Sequence, residues 1–127
     1  MAPHWLFAIA SLLPALTSCG ASPAETAAGR GRVLAAELGC ASCHSINGGI
    51  AVGPTWKGLH GSQVTLTNGT TVTADDAYLA GRLANPGAVT VAGYPRGTMT
   101  AALQPHRAML SKPENVEAII AYIKSLK

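Results

Sequence analysis

The chain has 127 residues, a formal net charge of +3 and charged side chains at only 12% of its positions, and that length suits one domain. The nine basic residues (Arg30, Arg32, Lys57, Arg82, Arg96, Arg107, Lys112, Lys124 and Lys127) neither form a block nor interleave with aromatic residues. This argues against a nucleic acid partner and reads as ordinary solvated surface.

Residues 1–18 contain no Lys, Arg, Asp or Glu, and Trp5 to Leu16 is an apolar run of about a dozen residues. A run of that length is too short to span a bilayer but suits the apolar region of a secretory signal. Leu16-Thr17-Ser18-Cys19-Gly20 resembles a bacterial lipoprotein cleavage box, in which Cys19 becomes the acylated first residue of the mature chain. An ordinary signal peptide cut nearby is the plainer reading. A lone thiol has little use in an oxidising compartment, which favours acylation. The expected organisation is a signal peptide over 1–18, a lipid-anchored Ala/Ser/Pro/Glu tether over 19–28 and one domain over 29–127. Cleavage leaves four aromatic residues: Trp56, Tyr78, Tyr94 and Tyr122. A domain so poor in large side chains needs other bulk to fill its core.

A first helix is expected from near Ala27 to Leu38, with Val33, Leu34 and Leu38 on its apolar side. Gly29 and Gly31 weaken it intrinsically, and suit a helix where another backbone or a ring comes close. Cys40-Ala41-Ser42-Cys43-His44 follows, the C-x-x-C-H signature of covalent haem attachment. Each thiol adds to one haem vinyl group, and the adjoining imidazole of His44 ligates the iron. A structural zinc site needs four ligands, and the only other cysteine is the distant Cys19. A thioredoxin-like dithiol requires a βαβ pattern that is absent here. One such motif implies one haem, which also supplies the missing core bulk. Export fits as well, because c-type haem is attached outside the bacterial cytoplasmic membrane.

Gly48 to Pro54 reads as loop. Val64–Thr67 and Thr70–Thr73 flank Asn68-Gly69, predicting a hairpin with a two-residue turn at positive φ. Thr73-Ala74-Asp75-Asp76 opens a helix to about Leu83, which Asn85-Pro86-Gly87 ends. Tyr94-Pro95-Arg96-Gly97-Thr98-Met99 reads as a loop. Ser111-Lys112-Pro113-Glu114 has the form of a capping box, opening a last helix whose apolar stripe is Val116, Ile119, Ile120, Ile123 and Leu126.

An iron used for electron transfer usually keeps two protein ligands, and a thioether favours its ferrous state. Met99, in a loop between helices, is the expected second ligand. His106 competes with it, Met109 suits core packing, and His60 suits packing or surface.

Taken together, Gly39 to Ile46, Gly53-Pro54-Thr55-Trp56-Lys57-Gly58-Leu59, the hairpin ending Asn68-Gly69-Thr70, Ala92-Gly93-Tyr94-Pro95 and Ile120-Ala121-Tyr122-Ile123-Lys124 resemble the class I cytochromes c. More narrowly they resemble the cytochrome c domain fused to subunit II of bacterial haem–copper oxidases. The resemblance implies a mostly α fold around one covalent haem, with a small β-hairpin insertion. It implies that the Pro54 carbonyl accepts a bond from His44 Nδ1–H, and that Tyr122 lies against the glycines of the first helix, crossing it near a right angle. Trp56 and Leu59 would line the haem pocket.

The chain departs from that pattern in three places. Ala35 stands where an aromatic is usual, the methionine loop is one residue longer, and Thr100 replaces a proline. No copper-binding cupredoxin precedes the domain, so a separate tethered carrier is expected. Its place would be the periplasmic or extracytoplasmic face of a bacterial membrane, and its partners a terminal oxidase or a quinol-oxidising complex. It would carry single electrons and catalyse no bond change. The rival is a haem-based ligand sensor or small peroxidase with an open distal iron site.

Overall fold

The computed structural model describes residues 25–127, together with Met1, Gly20 and Ser22. Residues 2–18 of the expected leader, Cys19, and tether residues 21, 23 and 24 lie outside the described residues. No described helix is long and apolar enough to cross a membrane.

Helix α1 spans Ala27–Glu37 and starts where the Thr26 side chain accepts from Gly29 N at 3.0 Å. It stops because Gly39 adopts φ 70°, a left-handed geometry that only glycine takes without penalty, and donates to the Ala36 carbonyl. The face of α1 is the expected one at Leu34, which packs against the core, and at Leu38, but not at Val33. Val33 is 44% exposed, whereas Gly31 and Ala35 join Leu38 among the buried residues. That face meets the last helix, α5 (Pro113–Ser125), from which Ala118, Ile119, Ile120 and Ile123 are buried. A Cβ on Gly31 would sit 1.9 Å from the Ala118 carbonyl oxygen and 2.9 Å from Tyr122 Cβ. Small residues on α1 therefore let the two backbones approach, and an outward Val33 costs nothing.

After α1 the chain turns through a short 3₁₀ segment, Cys40–Ser42, into irregular backbone. Strands β1 (Gln63–Thr65) and β2 (Thr71–Thr73) pair antiparallel, with Val64 opposite Val72. The connection is not the expected two-residue turn. Gly69 has φ 84°, but no described non-glycine residue has positive φ, so Asn68 does not share that conformation. Gly69 N donates to Leu66 O, Leu66 N donates to Thr70 O, and Asn68 Oδ1 accepts from Thr70 N and Oγ1. The turn is thus a wider one with glycine alone in the left-handed position. Residues 90–92 cover one edge of the hairpin: Leu66 bridges Val91, Thr67 N donates to Thr90 O, and Ala92 N donates to Thr65 O. Val64, Leu66 and Ala74 form a small core beneath.

Helix α2 spans Asp76–Ala84, and its N-cap Asp75 accepts from Tyr78 N at 2.8 Å. Leu79 and Leu83 face inward. Two further corrections follow. Met99 is not in a loop but in the first turn of a six-residue helix, α3 (Thr98–Leu103), entered through Gly97 at φ 81°. After a 3₁₀ turn over Gln104–His106 comes α4 (Arg107–Leu110), which carries Met109. Ser111 does not cap α5: its hydroxyl donates to the Ala108 carbonyl, closing α4. Lys112 is the N-cap, and Pro113 takes the first helical position, where its missing N–H costs nothing. The apolar stripe of α5 lies as its spacing predicts, with Val116 and Leu126 packed on the rim of the core.

Candidate functional site

A cavity of about 650 Å³ opens between β1, α2, α3 and the irregular segments, the chain entering its wall at Leu38, just past α1. Its wall includes Cys40, Cys43, His44, Pro54, Trp56, Leu59 and Met99, so the elements of the attachment motif and the candidate sulfur ligand share one chamber. His106, His60 and Met109 do not line it. Met109 packs against the core, and His60 bonds Asp76 at 2.7 Å.

The motif is held by its own backbone. Gly39 redirects the chain, and His44 N and Cys43 N both donate to the Cys40 carbonyl. Cys40 is buried and Cys43 half-buried, and neither is in a disulfide. Burial pushes the Cys40 thiol up from its ordinary pKa, the bond from its own backbone opposing and Cys43 adding to the rise. The Pro54 carbonyl accepts from His44 Nδ1 at 2.7 Å. A carbonyl can only accept, so Nδ1 carries the proton and Nε2 is left with a free lone pair. Burial lowers the His44 pKa, the Pro54 bond opposes this, and the Arg82 charge adds to the depression. The imidazole is therefore neutral and available for ligation.

The ring is clamped on its other sides. Trp56 stacks on it with centroids 5.2 Å apart and planes at 23°, and Tyr122 meets Trp56 edge-on at 6.1 Å. Gly53 passes so close that a Cβ there would lie 2.7 Å from His44 Cε1 and 2.9 Å from Nδ1. The 53–54 backbone is pinned in turn by Gly53 N donating to Cys43 O at 2.7 Å.

Arg82, read from sequence as solvated surface, is instead part-buried and lines the cavity. Its Nη1 donates to the carbonyls of Pro86 and Val89, and Nη2 reaches Met99 Sδ at 3.9 Å. The available signal was spacing: with Leu79 and Leu83 inward, residue 82 falls on the same helical stripe. Gly53 reads as loop and as the head of a block that carries the resemblance, and nothing local announces its contact with His44.

These residues suit a covalently held haem: two unpaired thiols, a neutral imidazole with its outer nitrogen satisfied, and a thioether, all on a largely apolar chamber. The chain belongs to the cytochrome c family, whose model matches residues 28–127. It is similar to cytochrome c2 iso-1 of Magnetospirillum fulvum, 36% identical over 98 residues that cover 69% of this chain and 91% of that protein. It is also similar to cytochrome c2 iso-1 of Magnetospirillum molischianum, 35% identical over 98 residues covering 69% and 90% of the two chains. The architecture is accordingly that of a class I c-type cytochrome. The chain carries haem c with its iron and works in electron transfer as a carrier rather than an enzyme.

Proposed function

We propose that the chain is a tethered monohaem carrier whose iron is ligated by His44 and Met99, with Cys40 and Cys43 as the thioether attachment points. The observation that carries the reading is the shared chamber: of the side chains weighed as second ligand, Met99 alone lines it. The bound haem supplies one reversible electron at iron. His44 offers Nε2, and the Pro54 carbonyl holds the opposite N–H, fixing the tautomer and making the ring a stronger donor. Met99 offers a soft sulfur that favours the ferrous state. Leu79, Leu83 and Leu103 line the chamber and help keep water from it.

Two features of place belong to the same proposal. Acylation at Cys19 would hold the carrier on the periplasmic or extracytoplasmic face of a bacterial membrane, with residues 19–28 as tether. The redox partners would be a terminal oxidase, in keeping with the resemblance to oxidase-fused domains, or a quinol-oxidising complex. The relatives named cytochrome c2 support a c-type electron carrier; the anchor rests on the Cys19 box alone, and the named partners rest on the resemblance. Cys19→Ser is expected to move the protein from the membrane to the soluble fraction; an unchanged membrane fraction would remove the anchor from the proposal.

The ligands are tested by spectroscopy on the purified holoprotein and on Met99→Ala. The parent is expected to show the near-infrared methionine-to-iron charge-transfer band and to resist carbon monoxide when reduced, and the variant to lose the band and bind the gas. A parent that is high-spin and binds carbon monoxide readily would instead be an open-site sensor or peroxidase.

A further inference from the structure

We infer that Arg82 is a positioning residue for the Met99 sulfur and a fixed cation that biases the haem toward its reduced state. The inference rests on Met99 being the second ligand. Arg82 stands on the inward stripe of α2, between Leu79 and Leu83, in the wall of the chamber. Its guanidinium is held from two directions. Nη1 donates to the carbonyls of Pro86 and Val89 just beyond the helix, and Nη2 is left facing Met99 Sδ at 3.9 Å. Among the described residues no carboxylate lies within ion-pair reach of it. An arginine half-buried without a counter-charge is costly.

The charge is felt within the site. It acts on Tyr78, where it partly offsets the upward push of burial. Ferric iron carries one more positive charge than ferrous iron. A fixed cation beside the chamber therefore disfavours the oxidised state, the more so because a low-dielectric wall screens it poorly. An N–H directed at the thioether also draws electron density from the sulfur, and weakens its donation to the ferric ion in particular. Both effects raise the reduction potential. The fork geometry explains arginine over lysine: one amine occupies the two carbonyls while the other reaches the sulfur, a division an ammonium cannot reproduce.

The test is the reduction midpoint of the holoprotein, with its near-infrared band and the rate of carbon monoxide binding, for the parent, Arg82→Gln and Arg82→Lys. In Arg82→Gln the band is expected to persist while the reduction constant falls about tenfold, equal to 59 mV for one electron. Carbon monoxide should displace the sulfur faster. Arg82→Lys should recover most of the potential, since the charge is kept, but not the slow gas binding. A persistent band with unmoved potential and unmoved gas binding in Arg82→Gln would overturn the inference and leave Met99 ligation standing. A parent without the band overturns the ligation reading, and this inference with it. Should Arg82→Gln fail to take up haem, Arg82→Lys decides: retained potential with faster gas binding supports the role, and no change in either overturns it.

Discussion

Gly31 in α1 and Ala118 in α5 meet backbone to backbone, since a Cβ on residue 31 would fall 1.9 Å from the Ala118 carbonyl oxygen. Neither backbone can yield without moving a helix, and the α1–α5 contact is the largest between elements of the fold. Gly31→Ala is expected to destabilise by about 2 kcal/mol, overpacking outweighing the roughly 1 kcal/mol that alanine gains in a helix. Gly81 is also helical but has nothing within 4 Å of a built Cβ, so Gly81→Ala should stabilise by about 0.5–1 kcal/mol. Thermal unfolding of the two ferric variants reads the contrast. Equal shifts of the same sign would refute the close approach.

Trp56 joins the ligand to the helix pair: its ring is 5% exposed, stacked on His44 and met edge-on by Tyr122. Trp56→Ala should cost about 3–5 kcal/mol, as buried aromatic truncations do. Trp56→Phe keeps a ring against the imidazole and should cost less than half as much. Denaturant melts measure both, and a Trp56→Ala cost below about 1 kcal/mol would mean that the ring braces nothing.

What could be read from sequence was what is local. Cys40, Cys43 and His44 announce themselves because attachment chemistry imposes a fixed spacing. The last helix does so because thirteen residues give its stripe time to repeat. Helix α3, at six residues, offers barely more than one turn of period, so Met99 read as loop. Asn68-Gly69 fits two turn classes that differ in the φ of Asn68, and the strands decide between them. Ser111 reads as opening the capping box of the last helix, but Pro113 at the first helical position makes Lys112 the N-cap. Arg82 was hidden for another reason. A cation on an apolar stripe is read as surface until the chamber it faces is known.

Asp76 ties three elements together, accepting from His60 Nε2 at 2.7 Å and from Lys124 Nζ at 3.0 Å. The bond from Lys124, then that from His60, holds its carboxyl below the ordinary value of 3.8. A depressed carboxyl stabilises the fold above its unfolded-state pKa, and that contribution is lost as pH falls through the folded-state value. Asp76→Asn should therefore be less stable than the parent at about pH 7, with the gap shrinking below about pH 4 and closing once the parent's carboxyl is protonated. Because the group is exposed, added salt should narrow the gap too. Melting temperatures across that range decide it; a gap that widened toward acid would reverse the assigned sign.

Gly53 offers the sharpest local test of how His44 is held. A Cβ there would sit 2.7 Å from Cε1 and 2.9 Å from Nδ1 of the imidazole, and 3.2 Å from the Cys43 carbonyl. The ring cannot retreat far, because Trp56 stacks against it. Gly53→Ala must therefore stretch the bond between Nδ1 and Pro54, at an overpacking cost of about 1–3 kcal/mol. Gly49 lies in the same loop, but its nearest neighbour is the Asn47 side chain, which can swing aside. Gly49→Ala should stay within about 0.5 kcal/mol of the parent. The potential carries the finer signal. A weaker bond to Pro54 makes His44 a poorer donor, which destabilises the ferric ion and raises the potential. Arg82→Gln is expected to lower it. Opposite shifts in the two variants would separate the two sides of the site; a fall in both would mean that Gly53→Ala disturbs the pocket as a whole rather than the His44 bond.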